Sequence, residues 1–305
     1  MTQHSVTKRK AVMAAIVCYF FWGISFMASR TALSLTSVFT VLSHRFVLAF
    51  VVMTMLCFTP LGDCHLKGKP LVPLILLGLF QPVIYFFGEQ YGILHSSTIF
   101  SGVMIALIPI VSSLAAIPVL GEKPTLRQFA FSLLSVGGVI GIGMLTNNSG
   151  SLDWIGVVGL VVAVLSAASY LLLGRNIAPR FSPFERAYAM ICLGALAFTI
   201  PALISVRKNI GEYFTPLKNP NYILPILFLG ICCSVISFFL SNYALTGLSV
   251  AQGSIFANFT TAISVFAGAV FLHEPFSLLG LLFCAIILLG IYGVVNASGT
   301  KESPS

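Results

Sequence analysis

Three ionisable residues stand where lipid should exclude them: His44 and Arg45 in one apolar stretch, and Glu89 in the next. A charge at mid-bilayer costs about 3 kcal/mol on insertion scales, so such side chains have a function or a partner. At 1.5 Å per helical residue, Arg45 lies roughly 10 Å below the outer end of its helix, and Glu89 roughly 8 Å below the same side. Two readings fit that shared depth. In one, Arg45 binds a substrate carboxylate and Glu89 carries a coupling proton or meets a substrate amine. In the other, the two form a buried ion pair that fixes one helix against its neighbour.

Gln81, Tyr85 and Glu89 recur every fourth residue, which gives their helix one polar face. Pro82 lies beside it and removes the amide that would bond the carbonyl of Gly78. A freed carbonyl is tolerated in a membrane only against another helix or a wet cavity, so this helix is expected to line a pathway. Tyr85 could stack on an aromatic or cationic solute. Asn258 falls near the middle of a later apolar stretch, where a buried amide needs partners; it either bridges helices or meets the solute. Asn242 follows Ser241, and Trp22 lies three residues after Tyr19. These aromatics either wall a cavity or pack a core. Ser101, Gly102 and Ala106 have the spacing of a close helix contact. His95 reads as a solvated turn residue.

Glu122 and Glu274 each end a long apolar stretch, with Thr125 and Ser277 three residues on. A carboxylate there can accept from open amides at a helix N-terminus, so both read as structural caps. The seven cysteines show no metal or redox spacing and read as small apolar residues. Asn147-Asn148-Ser149 matches a glycosylation sequon but reads as an ordinary turn.

The elements that must position these groups are apolar helices. Hydrophobic residues make up 58% of the chain and charged residues 8%. Long apolar runs with few charges are membrane helices, because lipid cannot satisfy an open backbone. Ten are expected: 11–32, 38–58, 71–94, 98–120, 126–145, 152–174, 187–206, 222–245, 251–272 and 277–295. The alternation of a β-barrel is absent. The first run follows Lys8-Arg9-Lys10 and is too long for a signal core, so it reads as an uncleaved helix.

A shift of 152 residues lays the second half on the first: Pro73 on Pro225, Gly78 on Gly230, Tyr91 on Tyr243, Glu122 on Glu274, Gly138 on Gly290 and Gly141 on Gly293. Five spans per copy would invert the second copy. The expected fold is therefore all-α integral membrane, with ten transmembrane helices as two inverted five-helix repeats, 1–150 and 151–305. Inverted repeats are the architecture of alternating-access transporters, with a site where the copies meet.

The net charge of +8 follows membrane topology rather than nucleic-acid binding. With the N-terminus inside, inner loops and tails hold Lys8, Arg9, Lys10, Lys67, Lys69, Lys123, Arg127, Arg175, Arg180, Arg186 and Lys301; the outer side holds Arg30, Arg207, Lys208 and Lys218. That bias places both termini in the cytoplasm, in a multi-pass protein of the cytoplasmic membrane. No HExxH, GxSxG or phosphate loop occurs, so neither a cofactor nor direct ATP drive is expected. A membrane enzyme on lipid-linked substrates is the rival class, and it lacks clustered carboxylates, His pairs or a nucleophile with its base.

Trp22-Gly23, Arg45, Pro109, then Leu120-Gly121-Glu122, Thr125, Gln128 and Gly138 occur in order, and Leu272-His273-Glu274, Ser277 and Gly290 answer them in the second copy. This pattern resembles the drug/metabolite transporter superfamily in its EamA branch, over nearly the whole chain. The resemblance implies ten helices, cytoplasmic termini, a central cavity and transport of small metabolites, often export of amino acids or related compounds. Uptake or exchange of another metabolite or drug is the alternative within it. The implied partners are a small-molecule substrate and the bilayer, with protons as a candidate coupling ion. Two departures concern packing. The counterpart of Pro109 is Thr261, and a glycine common in the family is Phe131 in one copy and Phe283 in the other.

Overall fold

The structure, a computed structural model, describes residues 7–60, 62, 65–95, 104–145, 153–271 and 278–297. Glu274, the sequon at 147–149, Ser101 with Gly102, and Lys301 lie outside them. Every regular element among the described residues is helical. The helices are α1 (Lys8–Leu33), α2 (Val38–Cys57), α3 (Val72–Gly78), α4 (Tyr85–Leu94), α5 (Ile108–Leu120), α6 (Leu126–Leu145), α7 (Trp154–Ile177), α8 (Pro183–Ser205), α9 (Gly211–Phe214), α10 (Pro220–Leu227), α11 (Ser237–Gly247), α12 (Val250–Ser254), α13 (Phe256–Phe271) and α14 (Leu278–Asn296). Among the described residues, seven helical stretches are long and apolar enough to cross a membrane, and two shorter apolar ones cover Met104–Leu120 and Leu126–Ile142. The chain is a multi-pass membrane protein.

Local signals set the helix starts. Ser37 accepts from the Thr40 amide to begin α2. Ser182 and Glu185 form a reciprocal capping box around Pro183, so α8 begins four residues before the sequence pattern suggests. Arg186, counted above among inner-loop charges, is therefore a helical residue, and it is fully buried. Ser249 and Gln252 repeat the box at α12. The connection after α8 carries α9 and a 3-10 turn, Thr215–Lys218.

Two stretches widen into π-type turns, Leu79–Ile84 between α3 and α4 and Phe228–Ile236 between α10 and α11. The shift of 152 lays the first wholly inside the second. In the first, Gln81 leaves helical geometry (φ −140°, ψ 121°) just before Pro82. In the second no proline is present. Instead Ser234 and Ser237 donate to the carbonyls five residues back, Leu229 (3.0 Å) and Cys232 (2.8 Å).

The helices form two compact units: 1–86 with 177–247, and 87–176 with 248–305. Each takes helices from both sequence halves. In the first, α2 runs antiparallel to α8: Ser43 bonds Thr199 near one end and Thr54 bonds Tyr188 near the other. α1 likewise meets the second π segment and α11, through Trp22 with Cys233 and Cys18 with Ser237. Phe46 centres this core, with Phe198 at 5.3 Å, Phe238 at 6.0 Å and Phe86 at 6.1 Å between ring centroids.

In the second unit α6 and α14 pack along their length, also antiparallel. The Phe131 ring covers Gly293 and the Phe283 ring covers Gly141. The two residues standing where the family often has glycine thus fill the space over two other glycines. The contact is reciprocal, and so are its inner pairs, Gly138 against Ile287 and Gly290 against Ser135. Gln128 of α6 donates to the Val294 carbonyl (3.5 Å) and Gln252 of α12 to that of Val295 (3.1 Å), tying down the end of α14.

Candidate functional site

The first unit gathers Trp22, His44, Arg45, Gln81, Tyr85 and Asn242; Glu89 and Asn258 belong to the second. Arg45 is 5% exposed. Its Nε donates to Ser234 Oγ at 2.8 Å and its Nη2 to the Cys233 carbonyl at 3.4 Å. The Ser234 hydroxyl and the Cys233 carbonyl both belong to the π segment Phe228–Ile236. A wide turn leaves backbone carbonyls short of partners, and the cation meets one of them. Trp22 Nε1 donates to the same carbonyl at 2.9 Å. The guanidinium carbon lies 5.5 Å from the Phe46 ring centre and 5.4 Å from that of Phe86. With those rings 6.1 Å apart, it stands over a paired aromatic floor. Tyr85 packs edge-on to Phe86 at 5.6 Å and is half-buried. Gln81 is buried at the break before Pro82, and Pro82 faces Gly194 of α8, where any side chain would strike it and Phe46.

His44 sits one residue from Arg45 but serves another group. Its Nδ1 bonds Tyr222 Oη at 2.8 Å, and its ring packs edge-on against Tyr213 at 4.5 Å. Its Nε2 is buried and has no hydrogen-bond partner among the described residues. Ser43 links Tyr213 Oη (2.6 Å) to Thr199 (2.8 Å). The α8–α10 connection is thereby fastened to α2. Tyr213 gave no sequence signal, because it sits in a polar connection with no helical period.

Asn242 donates through Nδ2 to the Phe238 carbonyl (2.8 Å) and Met190 Sδ (3.2 Å). Its backbone carbonyl accepts from Arg186 Nη2 at 2.7 Å. Arg186 is a buried cation that the sequence reading missed by starting the helix at Ala187. The Ser182-Pro183-Phe184-Glu185 capping pattern is the signal that would have found it. Glu185, beside it, is 1% exposed and accepts from the amides of His65 (2.9 Å) and Ser182 (2.9 Å) and from Lys69 Nζ at 2.8 Å.

In the second unit Asn258 donates to Ser135 Oγ of α6 at 3.1 Å, with its Oδ1 buried and lacking a hydrogen-bond partner among the described residues. Glu89 is half-buried in α4. Glu122 accepts from the Val250 amide at 2.8 Å and from Arg175 Nε at 3.0 Å. It thereby reaches the first amide of α12, beside the Ser249–Gln252 box. Pro109 stands in the first turn of α5, where its missing amide costs nothing, and its carbonyl accepts from Ser113 at 2.6 Å. His95 lies 3.4 Å from Asp153.

The model of the EamA-like transporter family matches residues 9–144 and again 154–296. An uncharacterized transporter, YcxC, of Bacillus subtilis (strain 168) is 32% identical over 298 residues, 96% of this chain and 94% of that protein. An uncharacterized transporter of Archaeoglobus fulgidus is 25% identical over 289 residues, 95% of this chain and 99% of its own length. A probable terminal-alkyne amino-acid exporter of Streptantibioticus cattleyicolor is 26% identical over 289 residues, 94% and 92% of the two chains. A solved crystal structure with 17% identity superposes at a TM-score of 0.74 over 93% of this chain and 95% of the other, a likeness of fold.

Proposed function

Because the chain belongs to the EamA-like transporter family, we propose that it exports small amino-acid-like metabolites across the cytoplasmic membrane by alternating access. In this reading it has ten spans as two inverted five-helix repeats, with both termini in the cytoplasm. The antiparallel course of α6 against α14 and of α2 against α8 supports it, since each pair joins equivalent spans of the two copies. The family and its named relatives are transporters, so the lipid-enzyme reading is set aside.

The observation that carries the site is Arg45, a buried cation that donates to a hydroxyl and a backbone carbonyl over an aromatic floor. We assign it the substrate carboxylate, with Trp22, Tyr85 and Phe86 as the apolar surround. Glu89 is the proposed proton carrier. The relative named a probable terminal-alkyne amino-acid exporter supports this reading, since an amino acid carries the same carboxylate.

The test uses purified protein in proteoliposomes, loaded in turn with each of the twenty standard L-amino acids. Export of one or more is expected, lost in Arg45→Ala and stimulated by an inward proton gradient. In Glu89→Gln, transport down the solute gradient should persist while the proton gradient no longer accelerates it. Unchanged gradient stimulation in Glu89→Gln removes the coupling role; unchanged export in Arg45→Ala removes the carboxylate site.

A further inference from the structure

Two buried asparagines keep a side-chain oxygen that accepts from nothing among the described residues, Asn242 in the first unit and Asn258 in the second. Their settings differ in charge. Beside Asn242 a cation is already in place, since its backbone carbonyl accepts from Arg186 at 2.7 Å, and its Nδ2 turns back to the carbonyl four residues earlier. Asn258, 1% exposed, instead spends its Nδ2 across on Ser135 Oγ of α6. Its helix α13 packs against α6, α12 and α14, and α12 packs against α5. Those helices hold a single charged side chain, Arg127. It is exposed and stands eight residues before Ser135, roughly 12 Å along α6.

The backbone opens at the same place. α12 ends at Ser254 and α13 begins at Phe256. The Asn258 amide bonds the Ile255 carbonyl, three residues back, at 3.1 Å, so the Ser254 carbonyl loses its helical partner. Ile255 keeps helical angles (φ −61°, ψ −25°), and helical side chains lean toward the N-terminus. The Asn258 side chain therefore lies over the turn of Ser254. Ser254 is fully buried, and its hydroxyl proton goes to the Ala251 carbonyl at 3.4 Å. Gln252 spends its Nε2 on the Val295 carbonyl. The polar side-chain donors of this turn are thus used, and acceptors are left over. Buried oxygens in that state attract positive charge, and carbonyls at an interrupted membrane helix coordinate sodium. Calcium and magnesium call for carboxylates, and among the described residues no three His, Cys, Asp or Glu side chains gather as a metal site.

We infer that the break between α12 and α13 is a sodium site: Asn258 Oδ1 and the Ser254 carbonyl give two of the ion's oxygens, and Ser135 holds the Asn258 amide in place. The site uses neither Arg45 nor Glu89 and goes beyond the carboxylate and proton roles proposed for them.

The experiment melts the purified full chain in sodium-free detergent buffer against rising sodium chloride, with choline chloride at equal ionic strength as the control. Sodium should raise the melting temperature saturably and beyond choline, as an ion that binds only the folded state must. Asn258→Leu replaces the amide by an apolar group of like size, and there the sodium affinity should fall at least about tenfold. Asn258→Asp keeps an oxygen and adds charge, and should bind sodium more tightly than wild type. Binding of radioactive sodium to the same proteins gives the affinity independently of melting. Equal curves in sodium and choline, with no radioactive sodium bound, would overturn the site and leave a water bridging the two oxygens. Sodium affinity undiminished in Asn258→Leu would put the ion elsewhere and overturn it as well. Should Asn258→Leu not fold, an affinity in Asn258→Asp no higher than in wild type overturns the site.

Discussion

The reciprocal seam between α6 and α14 makes a prediction with a built-in control. A methyl group at Gly293 would fall inside the Phe131 ring, and one at Gly141 inside the Phe283 ring. Forcing one extra carbon into such a contact costs about 1–3 kcal/mol. The better helix propensity of alanine returns up to about 1 kcal/mol. Gly293→Ala and Gly141→Ala should then each destabilise by a similar amount, about 1–2 kcal/mol. Phe131→Ala alone leaves a void of ring size and costs about 3 kcal/mol. Combined with Gly293→Ala it should cost less than the two separately, with a coupling of about 1–2 kcal/mol, because the new methyl enters the vacated space. Phe283 stands ten residues from Gly293 on the same helix, roughly 15 Å away at 1.5 Å per residue. Phe283→Ala should therefore show no coupling to Gly293→Ala, and full coupling to Gly141→Ala. The assay is thermal unfolding of purified single and double variants in one detergent, read by loss of the monodisperse peak. Equal rescue by either phenylalanine, or two silent glycine variants, would refute the reciprocal contact.

Glu185 and Glu122 give two further expectations. Glu185→Gln keeps the side-chain shape but removes the charge that holds Lys69 and leaves one oxygen to do the work of two. At a site this buried a loss of about 3 kcal/mol is expected, measurable as an early melt. A wild-type melting curve would show that the tie between the α2–α3 connection and α8 carries little. Glu122→Gln should cost under about 1 kcal/mol, since the Arg175 pair is partly exposed and an amide oxygen can still accept from Val250. Glu122→Ala should add about 1 kcal/mol by leaving the Val250 amide at the start of α12 without this acceptor. Equal melting of the two variants would mean that this hydrogen bond contributes nothing.

The helices were legible because apolar runs in lipid leave few alternatives, and the doubled glycines marked the repeat without saying what they touch. What periodicity could not mark was polar chemistry inside the apolar code. Arg186 lies beside a capping box, and reading the charge as a loop hid the four residues that carry the helix past it. Ser234 gave no signal at all: it is one hydroxyl among many, and only the wide turn makes it a partner for Arg45. Tyr213 owes its place to the fold-back of a connection whose sequence resembles ordinary solvated chain. Glu122 was readable as a cap, but the helix it serves lies 128 residues onward, a distance no local pattern spans.

The seam between α6 and α14 has the form of an isologous interface, in which each partner offers the same patch to the other. The residues around Arg45 have no such equality. The 152-residue shift lays Arg45 on Ala197, Trp22 on Gly174 and Glu89 on Ser241. The α6–α14 seam is thus evenly built, whereas Arg45, Trp22 and Glu89 have no counterpart of their own kind in the second copy. Exchanging the two halves of the chain would therefore keep the matched pairs of this seam and carry the Arg45 and Trp22 side chains into the other copy.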